Sequence, residues 1–393
     1  MRCETYCLGD ICTFIDYRGK TPPKTTDGIP LVTAKIVKNG VIQEPQEFIA
    51  ESYYDEWMRR GIPKQGSVVF TTEAPLGEVA RIRTNDKLAF AQRIIVLEPK
   101  QQYLNPDYLF YSLQDCVLKS RIEARATGTT VIGIKAAELK RVEIDLPPLL
   151  TQKQIAAVLC VLDNKIELNS KINDNLEQQA QAYFQKLFVD NTDPKWALGT
   201  VSSLGTVVGV STPSKAKPEY YTEDGIAWIT PKDLSINKVK FISRGENDIT
   251  ELGLKNSSAS VMPEGTVLFS SRAPIGYIAI ASGEVTTNQG FKSVVPKPEI
   301  GTAFVYYFLK HNLPVIEGMA SGSTFKEVSG STMKNVPAVI PDTETLTCFN
   351  DFCAPIFAQQ RILEEQNQSL AALRDNLLPK LMSGEIDVSN IQL

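Results

Sequence analysis

Gly66-Ser-Val-Val-Phe-Thr-Thr-Glu-Ala-Pro-Leu-Gly77 returns 199 positions later as Gly265-Thr-Val-Leu-Phe-Ser-Ser-Arg-Ala-Pro-Ile-Gly276. Upstream, Gly28-Ile-Pro-Leu-Val-Thr-Ala-Lys35 matches Gly225-Ile-Ala-Trp-Ile-Thr-Pro-Lys232. Downstream, Thr127-Gly-Thr-Thr130 matches Ser321-Gly-Ser-Thr324, and Leu146-Pro147 matches Ile340-Pro341. Leu176 and Lys186-Leu187 then match Leu370 and Lys380-Leu381 at an offset of 194. Matches that recur in one order mark two copies of a single unit, each just under 200 residues.

Each copy has two parts. The first is punctuated by Gly and Pro. Short β-rich runs at Ser67–Thr71, Ile94–Leu97, Thr266–Ser270 and Tyr277–Ala281 alternate with predicted helices at Pro106–Ser120 and Thr302–His311. The second part is a long helix. Pro147-Pro148 blocks an earlier start, Thr151 offers an N-cap, and no Gly or Pro occurs from Thr151 to Phe188. Ile155, Leu159, Leu162, Ile166, Asn169, Asn173, Leu176, Ala180, Tyr183 and Leu187 alternate spacings of four and three, which is a heptad seam. The second copy offers Phe352, Ile356, Gln359, Leu363, Gln366, Leu370, Leu373 and Leu377, with Pro355 in the first turn or at a kink, and Pro379 and Gly384 ending or bending the helix. The expected fold is α+β: globular domains at 1–148 and 191–341, separated by two long helices within 149–190 and 342–393 that pair antiparallel as a coiled-coil rod. Asn169 and Asn173, facing Gln359 and Gln366, are candidates for fixing its register.

Composition narrows the chemistry. The 393 residues carry a formal charge of −4, 43% hydrophobic and 22% charged residues, which is ordinary globular content. A single histidine, His311, excludes sites that need two. No Walker A, strand-linked GxGxxG, Asn/Asp-Pro-Pro-aromatic or Asp…Glu-x-Lys pattern occurs, which argues against a catalytic site. The seven cysteines include a Cys3–Cys7–Cys12 group without a close fourth ligand, read as free buried thiols rather than a zinc site. There is no signal-peptide pattern and no apolar run near ~18 residues, so a reducing cytoplasmic location is expected. By region, residues 1–148 and 191–341 are each net +1, 149–190 is net −1, and 342–393 is net −5. Any polyanion surface must therefore be a local patch.

Ordered motifs across almost the whole chain resemble the specificity subunits of type I restriction–modification systems. They are Leu146-Pro-Pro-Leu149, Gln152-Lys-Gln-Ile-Ala156, Leu198-Gly199, Gly209-Val-Ser-Thr-Pro-Ser-Lys215, Asp224-Gly-Ile-Ala-Trp-Ile-Thr-Pro-Lys-Asp-Leu234, Ala320-Ser-Gly-Ser-Thr324 and Leu373-Arg-Asp-Asn-Leu-Leu-Pro-Lys-Leu-Met-Ser-Gly-Glu385. The first copy departs from the pattern by lacking a counterpart of Trp228.

The resemblance implies a non-catalytic, phage-defence subunit whose two target-recognition domains each read half of a split sequence in double-stranded DNA. The rod would set the gap and dock two modification (methyltransferase) subunits, through which restriction subunits join. S-adenosylmethionine would sit on the modification subunits, and ATP and Mg on the restriction subunits, with no cofactor on this chain. Candidate DNA contacts in the first copy are Lys20, Lys24, Thr33, Lys35, Thr71, Thr72, Arg93, Thr129 and Thr130. In the second they are Lys215, Lys217, Thr230, Lys232, Ser271, Arg272, Gln289, Ser323, Thr324 and Lys326. Where copies agree (Lys35/Lys232, Thr130/Thr324), phosphate contact or scaffold is expected. Where they differ, above all Glu73 against Arg272, base discrimination is expected, since glutamate accepts from a cytosine amine and arginine donates to guanine. The competing reading is a coiled-coil scaffold that does not touch DNA.

Overall fold

The computed structural model describes residues 3–17, 19, 21–322 and 326–391. They form two compact units: residues up to 166 together with those from 369, and residues 167–368. Both units are α+β, and both are built to one plan.

In the first unit a two-stranded ribbon pairs Glu4–Cys7 with Glu143–Leu146. An antiparallel sheet follows in the order Cys12–Asp16, Ile94–Pro99, Val68–Thr72, Leu76–Arg81. The second unit repeats the ribbon with Ala197–Thr200 and Pro337–Ile340. Its sheet repeats the order with Gly205–Val208, Ser293–Pro296, Val267–Phe269 and Ile278–Ala281, and adds Phe241–Ile242 at the edge. The strands are apolar on both faces because each sheet separates two cores. Phe70, Ile95 and Leu97 face Leu109 and the long helices, while Val69, Ile94 and Val96 face a smaller sheet around Leu31 and Phe90.

Helix boundaries follow local chemistry. The expected Pro106–Ser120 helix is two helices, Pro106–Ser112 and Cys116–Glu123, because Asp115 turns the chain out and caps the amide of Val117. Thr302–His311 is helical as expected. The first long helix spans Leu149–Gln185, so it starts two residues before Thr151, and a π turn carries it to Asp190. The second spans Thr343–Ser383. Asp342 accepts the Thr345 amide at its start, so Pro355 lies well inside it, and Pro379 does not end it. The chain leaves at Gly384, whose φ of 78° is left-handed.

Within each unit the two helices run antiparallel. In the second, Asn169 donates to Asn367 at 2.9 Å, Gln360 donates to the Asn173 carbonyl at 3.2 Å, and the Tyr183 ring packs at a tilt on Phe352 with centroids 4.5 Å apart. In the first, Asp163 meets Arg374 at 2.9 Å. Ile155 and Leu159 are buried, and Leu162, Ile166, Leu176, Tyr183 and Leu187 are half-buried, as the first seam predicts. The second seam needs correction. Ile356 and Leu363 are buried and Leu370 and Leu377 half-buried, but Phe352 and Leu373 are 39% and 47% exposed. Cys353, Gln360, Asn367 and Arg374 are the more buried neighbours of Phe352, Gln359, Gln366 and Leu373, while Phe352 still packs on Tyr183 and Gln366 accepts from Asn169 at 3.3 Å, as expected. A seam with polar residues at every second position is invisible to an apolar periodicity, which selects the apolar neighbour instead.

Ionic clusters tie each globular part to its helices. In the first unit Arg81, 7% exposed, bridges Asp107 at 2.5 Å and Asp163 at 3.3 Å. In the second, Lys240, 6% exposed, meets Glu177, which also takes Lys310 at 2.6 Å. Burial alone would raise the Glu177 pKa, but the two lysines outweigh it and bring it down to about 2. Burial pulls Lys240 down despite Glu177, and pushes Glu364 up although it accepts the amides of Lys240 and Phe241.

A carboxylate whose folded pKa lies below its ordinary value stabilises above that value, and the benefit is lost as pH falls toward the folded pKa. For Glu177 the window is 4.5 down to about 2, and the contribution at neutral pH is on the order of 3 kcal/mol. Glu177→Gln should therefore lower the urea midpoint of the full chain at pH 7. The gap from wild type should shrink as pH falls through 4.5. A gap independent of pH would show that Glu177 is not ion-paired.

Candidate nucleic-acid interface

The repeated motifs, far apart in each copy, meet at one end of each main sheet. In the first unit the hairpin turn after Val68–Thr72 carries Glu73, which bridges to Gly133, and Gly133 closes a loop with Thr127 through reciprocal backbone bonds of 2.8 and 3.0 Å. Gly128 enters that loop at φ 134°, and a Cβ there would stand 2.0 Å from the Val131 carbonyl oxygen, so glycine is required. The third segment is the turn before Ile94. Thr72 donates its amide to the Arg93 carbonyl, and the Arg93 guanidinium pairs with Glu73 at 3.0 Å. Parallel pairing of Leu31–Val32 with Ala89–Phe90 brings the end of the Thr33 strand alongside.

The second unit assembles the same segments with different charges. Arg272 occupies the Glu73 position and bridges to Glu327, which closes the loop with Ser321. Gly290 takes the place of Arg93, its carbonyl accepting the Ser271 amide, and Lys292 follows two residues later at the position of Ile95. Glu327 lies 3.1 Å from Arg272 and 3.7 Å from Lys292, so one carboxylate serves two cations. Burial lowers the Lys292 pKa first; Arg272 lowers it further, and Glu327 opposes both. The Thr230 strand end joins through the bond from the Asn288 amide to the Ile229 carbonyl. The Thr212 loop joins through the Gln289 amide at 3.4 Å.

The Lys292 stem runs between Gly209 and Gly330: a Cβ on either would lie 3.0 or 3.8 Å from its methylenes. It opens onto a cleft of about 420 Å³ that Ser211, Ser258 and Lys334 also line. Ser258 donates to Ser211 at 2.7 Å. None of these four, nor Glu327, is among the expected contacts. Lys292 falls at the position of Ile95 in the first copy, so the repeat gives no polar match for it, and the others carry no repeat signal either.

The expected residues separate by burial and by partner. Arg93, Thr129, Thr130, Arg272, Gln289 and Lys326 are exposed on or beside the clustered loops. Thr71, Thr72 and Ser271 are buried, which corrects their expected role as contacts. Thr71 Oγ1 accepts the Glu78 amide at 2.9 Å, just as Ser270 accepts that of Tyr277, and Ser271 donates to the Gly290 carbonyl. These hydroxyls hold the hairpins in shape. Thr230 is likewise engaged, capping Pro231–Ile236 in a reciprocal box with Asp233. Thr33 is half-buried at a 3-10 turn, and Lys35 and Lys215 are exposed. Lys24 pairs with Glu47, Lys232 with Glu246, and Lys217 with the Tyr220 hydroxyl. Lys20, Ser323 and Thr324 lie outside the described residues.

Other chemistry has no such assembly. His311 lines an apolar cleft of about 370 Å³ with Phe184, Phe188 and Trp196, and no carboxylate, serine or cysteine joins it there. Cys3 is exposed and Cys7 half-buried; Cys12 alone of that group is a buried thiol. Among the described residues no group of three or more His, Cys, Asp or Glu side chains could hold a metal ion, and no helix is long and apolar enough to cross a membrane.

The profile of the type I restriction modification DNA specificity domain matches the chain twice, at residues 2–178 and 194–376. The chain belongs to this family. The specificity subunit of the type I restriction enzyme MjaIX from Methanocaldococcus jannaschii is 39% identical over 191 residues, which cover 46% of this chain and 44% of that one. The chain thus spans less than half of that relative. The HindI specificity subunit of Haemophilus influenzae is 24% identical over 378 residues, covering 77% and 82%. The crystal structure of the type I restriction–modification S subunit from M. genitalium superposes with a TM-score of 0.60 over 97% of this chain and 96% of that one, at 18% identity, which establishes a shared fold.

The shared carboxylate makes a direct prediction. Glu327 holds the Lys292 pKa up against burial and Arg272, so Glu327→Gln leaves more of the amine neutral. Lys292 should then acylate faster at pH 8, read by peptide mass spectrometry. An unchanged rate would show that Glu327 does not face it.

Proposed function

We propose that this chain is the DNA-reading, non-catalytic subunit of a type I restriction–modification complex. Each globular part reads one half of a two-part target in double-stranded DNA. The paired helices set the unread gap and dock two modification subunits, which carry S-adenosylmethionine. Restriction subunits with ATP and Mg join through those, in the cytoplasm. The observation that supports this best is the repeated loop cluster, whose scaffold is conserved between the two copies while its charged side chains are exchanged. Glu73 beside Arg93 presents an acceptor next to a donor; Arg272 and Lys292 around Glu327 present two donors. Two readers with one frame and different edges suit two different half-sites.

In this reading Arg272 is a base reader. Lys292, Lys334, Ser211 and Ser258 take a backbone phosphate in their cleft, and Lys35, Lys215, Lys232 and Lys326 add phosphate contacts. Arg93, Gln289 and Thr129 approach base edges, and Thr130 contacts phosphate.

These roles predict different losses. In the complex with its modification subunits, Arg272→Ala should cost on the order of 1–3 kcal/mol on the cognate duplex and relax one position of the methylated sequence. An unchanged motif refutes the base contact. Lys334→Ala should weaken cognate and unrelated duplexes alike and reduce the salt slope by about 0.9. If the complex shows no salt-sensitive duplex binding at all, the chain is a scaffold and the proposal fails. The ruler role has its own test: inserting four residues in both long helices, about 6 Å of rise, should lengthen the gap in the methylated sequence. A gap that stays fixed discards it.

A further inference from the structure

The helix that packs each globular part on the long helices carries an aromatic pair: Phe110-Tyr111 in the first copy and Tyr306-Tyr307, 196 positions later, in the second. A buried cation lies over each pair. The Arg81 guanidinium is 4.4 Å from the Phe110 ring and 5.3 Å from Tyr111. The Lys240 ammonium is 4.7 Å from Tyr306, 5.1 Å from Tyr307 and 4.2 Å from Phe357. Each tyrosine hydroxyl donates to a carboxylate of the first long helix, Tyr111 to Asp163 at 2.6 Å and Tyr307 to Glu177 at 2.9 Å. The same cations pair with those carboxylates. A residue of the second long helix completes each group: Arg374 on Asp163, and Gln360 accepting from Lys240 at 2.8 Å. Each group therefore joins the globular part and both helices at one point.

Duplication does not account for this. At the repeat's own offsets Arg81 corresponds to Ile280, Asp163 to Phe357, Arg374 to Ala180 and Glu177 to Ala371. The aromatic pair is inherited, but cation, acid and closing residue come from different positions in the two copies. Two unlike solutions around one inherited seat indicate a requirement beyond packing. Apolar contact is non-directional and tolerates rotation of one body on another. A buried charge pair with fixed hydrogen bonds does not.

We propose that these two clasps set the angle of each globular part on its helices finely enough to restrict the complex to a single gap length. The inference rests on the half-site reading above. Changing the gap by one base pair moves a half-site by about 3.4 Å along the duplex and turns it by roughly 35°. Helix length fixes the coarse span. The clasp residues are positioning residues that reject the neighbouring gaps, and they touch no DNA.

The test uses the full chain expressed with its modification subunits, and modification-sensitive sequencing of host DNA. Lys240→Met with Glu177→Gln removes both charges without stranding either. The expected result is unchanged half-sites, with methylation at gaps one base pair shorter or longer rising about tenfold, equivalent to a lost penalty of roughly 1.4 kcal/mol. Lys171→Met, which removes an exposed pair with Glu167 inside the first helix, should leave the gap unchanged. A folded double variant that keeps the single gap overturns the inference. So does one that loses the second half-site, or a control that broadens the gap equally. Should circular dichroism show the double variant unfolded, Glu177→Asp takes its place and is read the same way, since it keeps the charge but withdraws it by one methylene. A wild-type complex that leaves no two-part methylated sequence would instead sink the half-site reading itself.

Discussion

A buried carboxylate on the first long helix must be neutralised, and the rest of each unit is arranged around that need. Asp163 and Glu177 sit where sheet, covering helix and helix pair converge, at 12% and 22% side-chain exposure. Leaving either unpaired would cost about 3–5 kcal/mol, so a cation from the globular part and a partner from the second long helix must be delivered to the same point. The apolar cores on both sides supply most of the burial, but they do not specify an angle. The polar seam has the same logic: Gln360, Asn367 and Arg374 replace apolar knobs with bonds that close in one register only.

The two copies have diverged in a graded way. Ribbon, sheet order, hairpin and loop closure are retained, down to the amide bonds taken by Thr71 and Ser270. Charges at the loop cluster are exchanged, and the clasps are rebuilt from other residues. Scaffold hydroxyls were retained because they satisfy backbone groups that would otherwise be buried unpaired. The exposed Glu73 and Arg272 positions carry no such burden, which left them free to differ.

How far this was legible in the sequence follows from the same distinction. The duplication, the strands and the first seam follow from repeated motifs and apolar spacing. Phe352 and Leu373 misled because the inward positions beside them are Cys353 and Arg374. Thr71 and Ser271 look like polar loop residues in a string of letters; only the fold shows their hydroxyls turned inward. Lys240, Glu177 and Glu327 were out of reach: a lysine far in sequence from its glutamate has no local pattern, and none of the three recurs in the other copy.

The clustered loops close through main-chain bonds, Thr127 with Gly133 and Ser321 with Glu327. Main-chain closure is indifferent to most side chains, with the left-handed Gly128 and Gly322 the exceptions that the backbone demands. Exposed side chains such as Thr129 and Thr130 can therefore change identity without disturbing the frame that presents them. On the function proposed above, new target sequences are then accessible by single substitutions in these loops, and one half of a target can drift while the other is held.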